Sequence, residues 1–233
     1  MHPETKLLNG YSNEEKLAYL VAVASIATAD REASQDELDY LSQLADAAGL
    51  APENKTAVLQ AATETDPADL PAHLDILKRS ELKYSLVADL MSFAKADQDY
   101  SEAEKGDIQQ VAAYLGLDEH QTQVLNEVAE KTADGSITPE QANDPNFLSA
   151  FGFGDKLQKA GINSGGLFKN LLGMAAPFIL GSLLSKGLGS KIRQQGSGGG
   201  GGLLSGGLGS VIGMLSGGRG MGSIGGLLGK FFR

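Results

Sequence analysis

"ATADREASQDELDYLSQLADAAGL" (27–50) and "AKADQDYSEAEKGDIQQVAAYLGL" (94–117) align without a gap at an offset of 67 residues. Ala27/Ala94, Ala29/Ala96, Asp30/Asp97, Ser34/Ser101, Glu37/Glu104, Ala45/Ala112, Gly49/Gly116 and Leu50/Leu117 are identical, and Leu41/Ile108 and Leu44/Val111 stay apolar. Each copy reads as the end of one helix, a short acidic connection, a serine with a glutamate three residues on, an amphipathic helix and a glycine stop. The serine and glutamate can each satisfy a backbone N–H that the first helical turn leaves free. The glycine can take the left-handed conformation that closes a helix. A duplicated unit of this kind predicts two like groups of helices packed about a pseudo-twofold axis.

The helical pattern extends on both sides, over residues 12–131. "SNEEKLAYLVAVASIATAD" opens with the same capping spacing, Ser12 and Glu15, and puts Leu17, Leu20, Val21 and Ala24 on one face. Pro52 suits the first turn of "ENKTAVLQAATE". Pro67 and Pro71 bound a short amphipathic piece, "ADLPAHLDILKR". "ELKYSLVADLMSFAKAD" sets Leu82, Leu86, Leu90 and Phe93 at helical spacing, and "DEHQTQVLNEVAEK" closes the series. The fold class expected is all-α, a bundle of about seven helices with an internal repeat and no strand.

Charge divides the chain. Residues 1–160 hold all 29 acids and 12 of the 19 bases, a net of −17, whereas residues 161–233 hold no acid and seven bases. Those seven are Lys169, Lys186, Lys191, Arg193, Arg219, Lys230 and Arg233, and 24 of the 31 glycines lie in the same span. An acidic helical domain (1–131), a linker (132–165) and a glycine-rich, apolar, basic tail (166–233) are therefore expected. In the linker, the three phenylalanines of "FLSAFGFG" are expected to dock back on the bundle. Cysteine is absent, which excludes disulfides and thiolate metal sites. The opening "MHPETKLLNGYSNEEK" has no basic segment followed by an apolar run and is not a signal peptide, so a cytoplasmic head is expected.

With its repeated "ATADREASQDE" and "AKADQDYSEAE", the chain resembles the TerB-like, tellurite-resistance-associated helical family. The family motif is an apolar helix ending in Ala-Asp-Gly with a Glu in the next helix. The Asp and Glu positions match twice, while Arg31 and Gln98 stand where the family has Gly. The resemblance covers residues 12–131 and implies a compact bundle of about seven helices. It also implies links to stress resistance, membrane-associated complexes and divalent-cation binding, without an established catalytic reaction.

Asp30 and Asp97 sit where a helix ends, facing the negative end of its dipole. One reading is a hard cation such as Ca²⁺ held by Asp30, Glu32 and Glu37 and their counterparts Asp97, Asp99 and Glu104. The other is local: the aspartates fold back on loop N–H groups and the Ser/Glu pairs cap the next helix. No twelve-residue EF-hand loop is present. His2, His73 and His120 are scattered and read as surface residues, and no motif for a nucleophile or a phosphate loop occurs. The chain is expected not to be an enzyme. The competing class is a metal-binding or metal-sequestering protein that uses the doubled acidic motif.

In the tail, "GLFKNLLGMAAPFILGSLLS" (166–185) is apolar but carries Lys169 and Pro177 and falls short of an upright membrane span. Gly209, Gly213 and Gly217, and again Gly218, Gly222 and Gly226, recur every four residues, the glycine-zipper spacing that lets helices approach closely. In water each such glycine costs roughly 1 kcal/mol against helix formation, so this tail should be a better helix in lipid or in an assembly. Three readings compete: membrane association with the cations at anionic head groups, self-assembly or partner binding through the glycine face, and a low-complexity tail without a defined role. The absence of acids favours the first, and the cations are too sparse for a nucleic-acid footprint. The sequence thus points to an accessory or scaffold protein of a stress or envelope system. Its acidic head would dock protein partners, and its tail would meet a membrane lipid or membrane protein at the inner face of the membrane or pair with a second copy.

Overall fold

The computed structural model describes residues 7–27, 33, 35–63, 69–96, 102–133 and 152–172. Its described elements are helices: α1 (Asn13–Ala27), α2 (Gln35–Ala47), α3 (Pro52–Ala61), α4 (Leu70–Lys78), α5 (Leu82–Ala96), α6 (Glu102–Tyr114), α7 (Glu119–Ala133), α8 (Phe153–Lys159) and α9 (Ser164–Asn170). The all-α class holds. The repeat appears in the boundaries themselves, since α6 and α7 begin 67 residues after α2 and α3.

The centre is formed by α1 and α5. Every residue from Ala18 to Ile26 is buried, and so is every residue from Tyr84 to Ser92. The single apolar face read in the sequence of α1 is therefore too narrow. This helix is covered on several sides, by α3 and α4 above all and also by α2 and α5. Around α5 the covers are α7, α6 and α9. Burying each of Leu20, Leu41, Leu44, Leu86 and Leu90 contributes about 1.5–3 kcal/mol, and each is fully inaccessible to solvent.

Local chemistry sets the ends of the helices. At α1 the Ser12 N–H donates to Glu15 Oε2 at 2.9 Å and the Glu15 N–H donates to Ser12 Oγ at 3.2 Å, closing the capping box. The other Glu15 oxygen accepts from Ser80 Oγ at 2.6 Å, tying α1 to the turn before α5. Burial pushes the Glu15 carboxyl upward, but the hydrogen bonds from Ser80 and Ser12 outweigh it and leave its pKa lowered. At α7 an equivalent reciprocal pair, Asp118 and Gln121, was not marked in the sequence: Gln121 N–H donates to Asp118 Oδ1 at 2.8 Å and Asp118 N–H to Gln121 Oε1 at 3.1 Å. The caps read at Ser34/Glu37 and Ser101/Glu104 lie outside the described residues and side chains.

Gly49 and Gly116 end α2 and α6 with φ of +72° and +79°. After each, a leucine N–H reaches back to the carbonyl five residues before it, Leu50 to Ala45 at 3.0 Å and Leu117 to Ala112 at 2.9 Å. This doubled Schellman closure turns the chain sharply into α3 and α7. Pro52 opens α3, as read in the sequence, whereas Pro71 lies inside the first turn of α4 and does not bound it.

The packed body runs on to Leu172. Phe153, Leu157, Ile162, Leu167, Leu171 and Leu172 are buried, with α8 on α7 and α9 on α5. Within the stretch from 166 that the sequence assigns to the tail, Leu167, Asn170, Leu171 and Leu172 are buried.

One substitution type should act with opposite signs at three glycines. Gly49→Ala and Gly116→Ala have room for the methyl group but force a left-handed alanine, so each should destabilise by about 1 kcal/mol. Gly106→Ala, inside α6 and equally uncrowded, should stabilise by roughly the same amount. Urea unfolding midpoints read all three.

Candidate functional site

The six acidic candidates are not brought together by anything the structure describes. Asp30, Glu32, Asp97 and Asp99 lie outside the described residues. Glu37 lies in the first turn of α2 and Glu104 in that of α6, and their side chains are outside the described set as well. Among the described residues no group of three or more His, Asp or Glu side chains is placed to hold a metal ion. His120 is exposed at the start of α7. His73, read as a surface histidine, is half-buried on α4 with its Nδ1 lacking a hydrogen-bond partner. Burial lowers its pKa, opposed by the nearby Asp69.

A polar junction in the core went unread in the sequence. Asp89, in the middle of α5, is 2% exposed, and Tyr19, on α1, is fully buried. The Tyr19 hydroxyl donates to the Asp89 carboxyl. The backbone N–H of Leu172, just past α9, donates to the same carboxyl, 3.1 and 3.2 Å from its two oxygens. Asn170 adds a second tie: its Nδ2 donates to the Tyr11 hydroxyl at 3.2 Å and to the Gly166 carbonyl at 2.6 Å. An aspartate in the apolar run "LVADLM" was the available signal, and so was the repeat, which places Ala22 at the equivalent position of α1. Of the two equivalent helices, α5 receives the Leu172 N–H and α5 carries the acid. Neither Tyr19 nor Asp89 is open to a substrate, so the pair is a structural junction.

A cleft of about 770 Å³ opens at the surface between α5, α6 and α7. Met91, Ala113 and Leu117 give it an apolar floor, and Lys95, Lys105, Gln109, Asp118, Glu119, Thr122, Gln123, Asn126 and Glu130 give it polar walls. Lys95 pairs with Glu130 at 2.9 Å, and Lys105 pairs with Glu102. The Lys95 hydrogen bond and charge lower the Glu130 pKa against a smaller effect of burial. The lining contains no serine, cysteine or histidine that could serve as nucleophile or general base at neutral pH. The segment carrying Asp97 and Asp99 joins the two helices whose ends supply Lys95 and Lys105, so the second acidic motif borders this cleft in the chain.

The buried phenols give the core an alkaline limit. Burial first, and the Asp89 charge second, raise the pKa of Tyr19 and of Tyr40 above the ordinary 10.0. The unfolded chain releases these protons near 10 and the folded chain holds them. Their stabilisation is therefore complete below about pH 10 and falls as pH rises from there toward the folded values. Tyr19→Phe with Tyr40→Phe should flatten that alkaline limb in pH-dependent urea unfolding, at some cost in stability at neutral pH. Asp89→Ala should cost about 2–5 kcal/mol, because it strands two buried donors, the Tyr19 hydroxyl and the Leu172 N–H.

The family described as tellurite resistance protein TerB matches residues 16–127. No curated protein and no solved structure matches the chain. The matched span runs from the first turn of α1 into α7 and takes in both repeats. The helical head is thus similar over residues 16–127 to the TerB family, consistent with a TerB-like domain.

Proposed function

We propose that this chain is a non-catalytic accessory or scaffold protein of a tellurite-resistance-related stress or envelope system. Its TerB domain docks protein partners, and its C-terminal stretch associates with an anionic membrane surface. The observation that carries the reading is the composition beyond the last described core residue. Residues 173–233 hold no acid, are rich in glycine and leucine, and carry Lys186, Lys191, Arg193, Arg219, Lys230 and Arg233. Apolar residues interspersed with cations and free of acids suit the boundary between acyl chains and anionic head groups. Among the described residues no helix is long and apolar enough to cross a membrane.

Liposome flotation tests it, comparing the full chain with one ending at Leu172, which keeps the α9 contact with Asp89. The full chain should float with anionic vesicles and the shortened one should not. Replacing Lys186, Lys191 and Arg193 by Gln should weaken association by roughly 3 kcal/mol, at about 1 kcal/mol per cation near the surface. Equal behaviour of the two chains would overturn the membrane assignment.

A further inference from the structure

The two repeats are not closed to the same degree. α2 packs along α3, whereas α6 makes no comparable contact with α7. The residues explain the difference. Leu38 and Leu59, on α2 and α3, are partly buried and pack against the core. Their counterparts 67 residues on are Lys105 and Asn126, both on the cleft wall. Asp46 and Lys55 join α2 to α3 through an ion pair at 2.9 Å. Their counterparts are Ala113 and Thr122, which cannot form one. Two core-packed leucines and an α2–α3 ion pair of the first repeat thus have no counterpart in the second, whose equivalent residues line the cleft.

The charge around it is unbalanced. Both lysines on the wall already hold carboxylates, Glu130 and Glu102. Asp118, whose Oδ1 accepts the Gln121 N–H, and Glu119 are exposed and have no ion pair among the described residues, in a region of the chain with a net charge of −17. An occupant suited to this lining brings apolar side chains to Ala113 and the small exposed parts of Met91 and Leu117, and cations to the exposed carboxylates of Asp118 and Glu119. A groove between two helices with a third as its floor takes a helix with one apolar face.

We propose that the cleft between α5, α6 and α7 receives a basic amphipathic helix from a partner protein, which supplies the apolar and cationic groups that the second repeat has lost. The inference gives the head of the proposed scaffold its docking face. It is independent of the tail, because it is read at residues 102–130 and not by lipid binding.

The test uses the full chain and a labelled amphipathic peptide of leucine and lysine about 14 residues long, four helical turns. Controls are the same pattern with glutamate for lysine and a scrambled order that breaks the apolar stripe. Fluorescence anisotropy should show binding of the basic amphipathic peptide alone, and hydrogen exchange should slow in α6 and α7. The variant K105L/A113D/T122K/N126L carries the residues of the first repeat. It should close the cleft and weaken binding by at least roughly tenfold, about 1.4 kcal/mol. The four changes make the protein one unit more negative, so attraction by charge alone would strengthen binding where the proposal requires a loss. Undiminished binding by a variant with wild-type helicity overturns the proposal. So does equal binding of the scrambled peptide, or no binding by the wild-type chain at low salt. If the variant does not fold, the exchange footprint on the wild-type chain decides: protection in α6 and α7 supports the proposal, and protection confined elsewhere overturns it.

Discussion

The fold rests on one constraint: α1 and α5 have no side to show to water. From Ala18 to Ile26 and from Tyr84 to Ser92 their side chains are buried without a break. A helix that is apolar all round must be surrounded. Each repeat supplies two covers, α2 and α3 for α1, α6 and α7 for α5. That leaves a further side on each. Between the repeats, α4 closes it for α1 with Leu70, Leu74 and Leu77, and after them α9 closes it for α5 with Leu167. The short elements outside the duplicated unit are therefore as much part of the core as the long ones within it.

Duplication explains the likeness of the halves, and their divergence is where each half acquires its own character. At one position the first repeat has Ala22 and the second has Asp89, and the second binds the Leu172 N–H there. At another the first has Leu38 and the second Lys105, and the second stays open there. A buried acid is tolerated only where donors meet it, and Tyr19 and Leu172 are such donors. An open groove is tolerated where its walls are polar enough to be wet, as Gln109, Gln123 and Asn126 make them.

Much of this was legible in the sequence because it depends on local rules. Gly49 and Gly116 mark turns that only a left-handed residue makes easily, and Ser12 with Glu15 marks a cap that needs no tertiary partner. The offset of 67 set the register of α2 and α3 on α6 and α7. What escaped depends on distant partners. Asp89 looks like an ordinary helical acid until Leu172, 83 residues on, is placed against it. Residues 166–172 look like the start of an apolar tail, since a leucine-rich stretch reads the same whether it meets lipid or α5. The cleft was in principle readable from Lys105 under Leu38 in the repeat alignment, but that comparison requires knowing that position 38 faces α3. The doubled acidic motif was conspicuous, yet four of its six residues lie outside the described set.

The Leu172 N–H has a mechanical meaning. At Leu172 the chain is held by a hydrogen bond buried against the central helix α5. Traction on the downstream chain would load the bond to Asp89 at once, then the contacts of α9 on α5, and through Asp89 the Tyr19 hydroxyl of α1. An anchored molecule of this design would fail under shear by peeling α9 from α5, baring α5 in a defined order.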